Sequence, residues 1–221
     1  MYHISPSSKF KALFPDFVGA AIYAEVRNSE TSEALKSDIN TLAQQLQQDY
    51  TTDSIKQRSG ILATRNAYKI AGKDPSRYRP ACEHLARRIL QGKGLYVVNT
   101  IVDIVNYASL FSACSTAALD ADLIEGQNIE LDFGQANEPY EGIGRGLLNI
   151  EHLPIYRDSK GGFATPTSDS VRTMISAETK HLLILINGYD GNRSNLETTI
   201  EATLKLLQQY AECKNSEVLF Y

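Results

Sequence analysis

Asn99-Thr100-Ile101-Val102-Asp103-Ile104-Val105-Asn106-Tyr107 is the most informative run in the chain. At about 100° per residue, Asn99, Asp103 and Asn106 fall within roughly 60° of one another on a helix. Ile101, Ile104, Val105 and Ala108 occupy the other sides. The pattern predicts a helix over residues 99–111 that is apolar around most of its circumference and carries one polar stripe. A polar stripe on so apolar a helix faces water, a ligand or a satisfied polar network. Two readings follow. In one, Asn99 caps the helix and its companions bond nearby backbone. In the other the stripe lines a binding site, with Asn106 and Asp103 as catalytic candidates and Asn99 and Ser109 as substrate contacts.

Working outward, residues 76–90 read as a helix with Cys82, Leu85, Ala86 and Ile89 inward. Gly92 and Gly94 then break the chain before Leu95-Tyr96-Val97-Val98. Earlier still, a helix is expected over 54–71, ended by Gly72. Leu35, Ile39, Leu42, Leu46 and Tyr50 define one face of another, capped by Thr31 or Ser32. Residues 18–26 suit a buried first strand. Downstream the texture changes. Ile129, Leu131 and Phe133 alternate with polar residues, and short strands are expected at 146–150, 153–157 and 162–165. The apolar run 181–187 suits a central strand. Ser194 and Glu197, at capping-box spacing, open a last helix carrying Leu196, Ile200, Leu204 and Leu207. Helices early and strands late imply an α+β (α/β) fold, helices packed on mixed β-sheet layers, in one domain over 1–221.

The bulk numbers fit. At 221 residues, 43% hydrophobic and 22% charged, the chain has material for one sizeable core. It holds no apolar run near the roughly 18 residues of a membrane span. Residues 1–6 show no basic segment followed by an apolar one, so no signal peptide is expected. Three widely spaced cysteines, Cys82, Cys114 and Cys213, fit neither a disulfide framework nor a zinc site, and a reducing cytoplasm is the simplest home. The net charge is −4, yet ten basic and only two acidic residues lie between Lys56 and Lys93. Such asymmetry makes either a phosphate-attracting face or a pair of solvated helix faces. Arg65, Lys69, Lys73, Arg77 and Arg79 are the candidate RNA contacts, interleaved with Tyr68 and Tyr78 as stacking groups. Arg65, Tyr68, Lys69 and Gly72 share helical spacing and are expected on one exposed face.

Conventional catalytic signatures are scarce. The four histidines show no HxH or HExxH spacing, so no metal and no cofactor is expected. Cys82 and His84 are two apart on a helix and cannot face each other. Gly142-Ile143-Gly144-Arg145-Gly146 lacks dinucleotide-site spacing and reads as a turn between strands. The loop 164–173 packs five hydroxyls, one carboxylate and one guanidinium into ten residues. It either binds an amino-acid backbone or sugar edge, through Thr165, Ser168, Ser170 and Arg172, or is a turn built on its own side-chain hydrogen bonds.

The run SRYRPACEHLARRIL (76–90), a glycine turn, and NTIVDIVNY (99–107) together resemble the opening of the B3/B4 domain of the phenylalanyl-tRNA synthetase β subunit. LPIYRDSKGGFA (153–164) and ETKHLLIL (178–185) resemble its later strands, so the likeness spans about residues 60–190. The chain resembles a free-standing member of that family. The resemblance implies a tRNA-binding, aminoacyl-tRNA-editing module acting as a hydrolase on the ester of a mischarged amino acid. It implies tRNA, or its aminoacyl acceptor end, as partner, with a small amino-acid-like ligand and without membrane or DNA. It does not imply a complete phenylalanine–tRNA ligase. The Asn of the family's VDxxNY helix lines the editing pocket and matches Asn106. Where the family places a pocket histidine, residues 111–117 read FSACSTA, and Thr165-Pro166-Thr167 replaces its Gly-Gly strand end. Asp169 is the acid nearest the family's side-chain-reading carboxylate and is kept as a catalytic candidate without an assigned role. These departures leave an alternative, a non-catalytic binder of an amino acid, nucleotide or tRNA end on the same fold.

Overall fold

A computed structural model describes residues 2–221. In chain order the elements are β1 (His3–Pro6), α1 (Ser8–Leu13), β2 (Val18–Glu25), α2 (Glu33–Asp49), α3 (Ser59–Ile70), α4 (Ala81–Leu90), α5 (Thr100–Ser112), β3 (Thr116–Asp120), β4 (Asn128–Phe133), β5 (Glu141–Gly142), β6 (Gly146–Leu147), β7 (Pro154–Asp158), β8 (Gly161–Ala164), β9 (His181–Gly188), α6 (Arg193–Tyr210) and β10 (Ser216–Phe220). The class is α+β, as the early helices and late strands imply.

Two four-stranded sheets form the frame. One runs β10-β2-β9-β3 and is antiparallel throughout. The other runs β1-β4-β7-β8, with β1 parallel to β4 and the remaining pairs antiparallel. Alternation along the first sheet divides its side chains between two cores. Ala20, Ile22, Ile184 and Ile186 pack against Ile101, Ile104 and Val105 of α5 and Leu196, Ile200 and Leu207 of α6. Ala21, Leu119, Leu183 and Leu185 face the second sheet, against Leu131, Phe133, Tyr156 and Phe163. Helices, sheet and sheet therefore stack as three layers. No described helix is long and apolar enough to cross a membrane.

Several boundaries differ from expectation for local reasons. The helix expected over 54–71 begins as a 3-10 turn, Ile55–Gln57, and breaks at Arg58 before α3. Arg58 leaves helical geometry, and its guanidinium donates to the carbonyls of Leu110 and Phe111 at 2.7 and 2.9 Å, capping the end of α5. The helix expected from residue 76 starts only at Ala81, because Pro80 takes the N-cap and disfavours helical backbone at Arg79. Residues 74–78 instead form a turn closed by the Tyr78 amide donating to the Asp74 carbonyl at 3.0 Å, and Arg65 of α3 donates to Ser76 at 3.3 Å. The last helix is capped by Asn192, whose side chain accepts from the Asn195 amide at 3.0 Å, and not by Ser194; Glu197 pairs with Arg193. At α2 the cap is Ser32, while Thr31 turns inward. The strand expected over 146–150 shrinks to the two residues of β6. Strands β1, β3, β5 and β10 are additional.

Glu83 ties α3 to α4. It is fully buried and accepts from Arg65 at 2.9 Å and Arg87 at 2.7 Å, with Arg79 at 3.6 Å. Removing the carboxylate strands guanidiniums inside the protein. Glu83→Ala is expected to cost about 3 kcal/mol of unfolding free energy. Arg79→Ala, at the half-exposed edge, should cost less than about 1 kcal/mol. Urea denaturation of both variants checks the difference; equal midpoints would show that Glu83 is not the anchor.

Candidate active-site cleft

The polar stripe of α5 divides its work. The Asn99 side chain accepts from the Val102 amide at 2.9 Å and caps the helix. Asp103 is buried, accepts from the Thr31 hydroxyl at 2.6 Å, and receives the Val98 amide at 3.2 Å. Burial holds its carboxyl above the usual range, against those hydrogen bonds. Ser109 is buried and accepts from the Thr116 amide at 3.1 Å. Asn106, one turn beyond Asp103, is half-exposed and opens into a cleft of about 610 Å³.

The cleft lies between α4, α5 and the loops 143–145 and 167–169. Its walls bring together Asn106, Ser168 and Asp169 of the expected residues. Arg145 and Tyr96 join them, as does His84, which the sequence raises only as a partner for Cys82. A smaller inner cavity, about 40 Å³, shares Ala81, Ser168 and Asp169 with the cleft and continues past Thr165 toward Tyr156 and Asn187.

The loop 165–169 is rigid because its hydroxyls are already spent. Thr165 Oγ1 accepts from the amides of Thr167 and Ser168 at 3.2 and 3.1 Å and donates to the Ser168 carbonyl at 3.0 Å. Thr167 donates to the Tyr78 carbonyl at 2.7 Å and meets the Tyr68 hydroxyl at 2.8 Å. Ser170 caps a 3-10 turn by accepting from the Arg172 amide. Arg172 points away from the cleft and grips Asp158 with both nitrogens, at 3.0 and 2.9 Å. The loop thus presents Asp169 to the cleft. Asp169 Oδ2 accepts from the Ala118 amide of β3 at 3.3 Å.

Two groups on the cleft wall are shifted toward neutrality. Burial pushes the Asp169 carboxyl up to about 7, with the Ala118 hydrogen bond opposing it. Burial, and then the guanidiniums of Arg145, Arg79 and Arg88, pull His84 below the usual imidazole range. His84 therefore stands neutral at physiological pH. Its orientation follows from its neighbours: Cys82 packs into the helical core and Glu83 is anchored on Arg65, so the next side chain on α4 turns outward. The separation of Cys82 and His84 was readable from their spacing; what His84 faces depended on the fold. The cysteines offer no nucleophile, since burial raises the Cys82 and Cys114 thiols to about 11 and about 12.

The basic stripe proposed from sequence does not form one exposed face. Tyr68 is fully buried, and Arg65 is turned onto Glu83. Lys73 is buried, with Nζ donating to the carbonyls of Asn149 and Glu151 at 3.0 and 2.5 Å and lying 4.0 Å from the Tyr78 ring centroid. Arg79 lies beside Glu83, which leaves Lys69 and Arg77 exposed. The helical spacing was right, but the buried side of α3 includes Tyr68. Gly142-Ile143-Gly144-Arg145-Gly146 is the turn of the β5–β6 hairpin, with Gly144 and Gly146 at positive φ.

The model of the B3/4 domain family matches residues 63–211. No curated protein matches the chain. Among solved structures it is similar to an N-terminal fragment of the phenylalanyl-tRNA synthetase β-subunit from Pyrococcus horikoshii, at 14% identity and a TM-score of 0.47. That alignment covers 98% of this chain and 50% of the other, so the chain spans half the length of the structure it matches.

The raised Asp169 carboxyl has a consequence for stability. A folded-state value of about 7 against an ordinary 3.8 means the native protein holds this proton longer than the unfolded one. The group favours folding fully below about pH 4 and loses that contribution as pH rises through 7. Asp169→Asn is expected to melt with the parent at pH 4 and several degrees above it at pH 8. Superimposable melting curves at pH 8 would show that Asp169 is not strained by burial.

Proposed function

The chain belongs to the B3/4 domain family, and from that premise we propose that it binds the aminoacylated end of tRNA in the cleft between α4 and α5 and hydrolyses the ester there, as a cytoplasmic hydrolase. The observation that carries this reading is the meeting of Asn106, a neutral His84 and Asp169 in one cavity of about 610 Å³ inside the family-matched segment.

The chemistry asked of the site is modest, because the ester is already activated. His84 takes a proton from water as the water oxygen attacks the carbonyl carbon. The Asn106 amide donates to the oxyanion that develops. The bond from carbon to the ribose oxygen breaks, and the histidine returns its proton to that oxygen, leaving a free amino acid and a tRNA hydroxyl end. Ionised Asp169 holds the α-ammonium group. The rigid loop 165–169 keeps this carboxylate fixed, so positioning is provided before substrate arrives.

A second reading, a binder without turnover, is favoured by the absence of histidine in residues 111–117. Under that reading, thermal shifts should respond to free amino acids or nucleosides while no aminoacyl-tRNA is consumed.

Deacylation assays over a panel of aminoacyl-tRNAs test the enzymatic reading. Asn106→Ala should lower the rate by about 10²-fold, and His84→Gln by about 10²-fold or more. The parent kcat/KM should rise with pH through about 7, where Asp169 ionises. In Asp169→Asn that limb should vanish, leaving one below the ordinary imidazole value, where His84 loses its proton. No turnover above buffer for any charged tRNA would exclude hydrolysis and leave the binder.

A further inference from the structure

The mouth of the cleft carries an aromatic ring that nothing in the fold requires. Tyr96 sits in the irregular segment between α4 and α5 and is 60% exposed. Neighbouring Val97 and Val98 are exposed to a similar degree, 60% and 58%. A core role would bury such side chains. Gly92 and Gly94 take positive φ in open space and let the segment stand away from the body.

Tyr96 is nevertheless fixed. The Arg88 guanidinium lies 3.7 Å from its ring centroid and donates to its hydroxyl at 2.9 Å. One side of the ring is therefore covered by a cation. The rest remains accessible and lines the cleft. Arg145, exposed in the turn of the β5–β6 hairpin, lines the same cleft. Neither Arg88 nor Arg145 forms an ion pair among the described residues, although other arginines of the molecule do. Their charge is felt inside the cleft, since both depress the protonation of His84. An open ring backed by a guanidinium, in a cleft that also holds an uncompensated cation, suits a ligand with a flat π-face and a nearby negative charge. An unpaired nucleotide has both.

Resting on the reading that the partner is tRNA, we infer that Tyr96, backed by Arg88, is the stacking platform for an unpaired base at the end of the RNA, and that Arg145 receives the adjoining phosphate. The site lies at the cleft mouth and not along α3. Arg65 and Arg79 are engaged by Glu83, and Lys73 by the carbonyls of Asn149 and Glu151, so these members of the basic segment are taken up elsewhere. Stacking on an aromatic tolerates any base, so the platform orders the strand end without reading sequence.

The test compares a short RNA hairpin bearing a single-stranded 3′ tail with the same hairpin cut blunt, using fluorescence anisotropy at low salt. A 2-aminopurine in the terminal position of the tail reports stacking. The parent should bind the tailed hairpin about tenfold more tightly than the blunt one and quench the 2-aminopurine. Tyr96→Ala should lose that tenfold and the quenching on the tailed hairpin, and change nothing on the blunt one. Tyr96→Phe, which keeps the ring, should behave like the parent. Arg145→Gln should reduce the slope of log affinity against log salt by about one. If the parent binds the tailed hairpin and Tyr96→Ala binds and quenches equally well, the platform is wrong while the tRNA reading survives. If the parent binds neither hairpin, the tRNA reading itself fails, and this inference with it.

Discussion

Strand β9 has no solvent side. From Leu182 to Gly188 every residue is buried, with alternate side chains entering the helical core and the core between the sheets. Because β2 and β3 pair with it on either edge, its burial sets the spacing of all three layers. A polar side chain on either face would be left without water or partner. Asn187 shows the condition under which one is admitted: its amide donates to the Ser115 carbonyl at 3.0 Å and its oxygen accepts from Tyr156 at 2.8 Å. That bridge joins β9, the start of β3 and the second sheet at the back of the inner cavity. The floor of the cleft is thus an extension of the core, and its rigidity is inherited from it.

The electrostatics of the cleft follow from the same arrangement. Desolvation in the cleft wall raises the Asp169 carboxyl to about 7, and desolvation followed by the charges of three arginines holds His84 neutral. A carboxyl raised to about 7 and an imidazole held in its neutral form suit cation binding and proton transfer at working pH. The arginines that depress His84 also leave the cleft mouth positive on a protein whose net charge is −4. A local field of that kind draws an anionic ligand although the whole molecule is acidic.

What could be read in the sequence was what periodicity governs. The α5 helix, its inward Ile101, Ile104 and Val105, the alternation through β4 and the apolar run of β9 each follow from side-chain spacing. The polar stripe was legible as a stripe, but its division between a cap, a buried clasp and an open amide was not. That division depends on Thr31 and Val98, which approach Asp103 from outside α5. Strand β1 eluded the reading because four residues carry no period, and it is held by parallel pairing with β4, far along the chain. Strand β3 was obscured by small residues, Thr116-Ala117-Ala118, whose burial comes from β9 and not from their own hydrophobicity. Arg172 and Thr165 looked like ligand-binding groups because their chemistry suits that role. Asp158, at the end of β7, and the backbone of the loop occupy them instead.

The pairing of β2 with β9 also bears on how the chain reaches its native state. Residues 18–25 find their partners only at 181–188, and β10 then closes the outer edge of β2. The cluster joining α2, α3, α4 and α5 draws instead on residues between Leu42 and Ala113 and closes much shorter loops. Loop-closure entropy favours the shorter connections, and high contact order delays the longer ones. The helical unit, with His84 and Asn106 already on its surface, is the part suited to consolidate early. The wall that completes the cleft, carrying Arg145 and Asp169, arrives with the second sheet. A cleft split in this way between an early and a late folding unit exists only in the finished molecule, so partly folded chains would carry half of the proposed site.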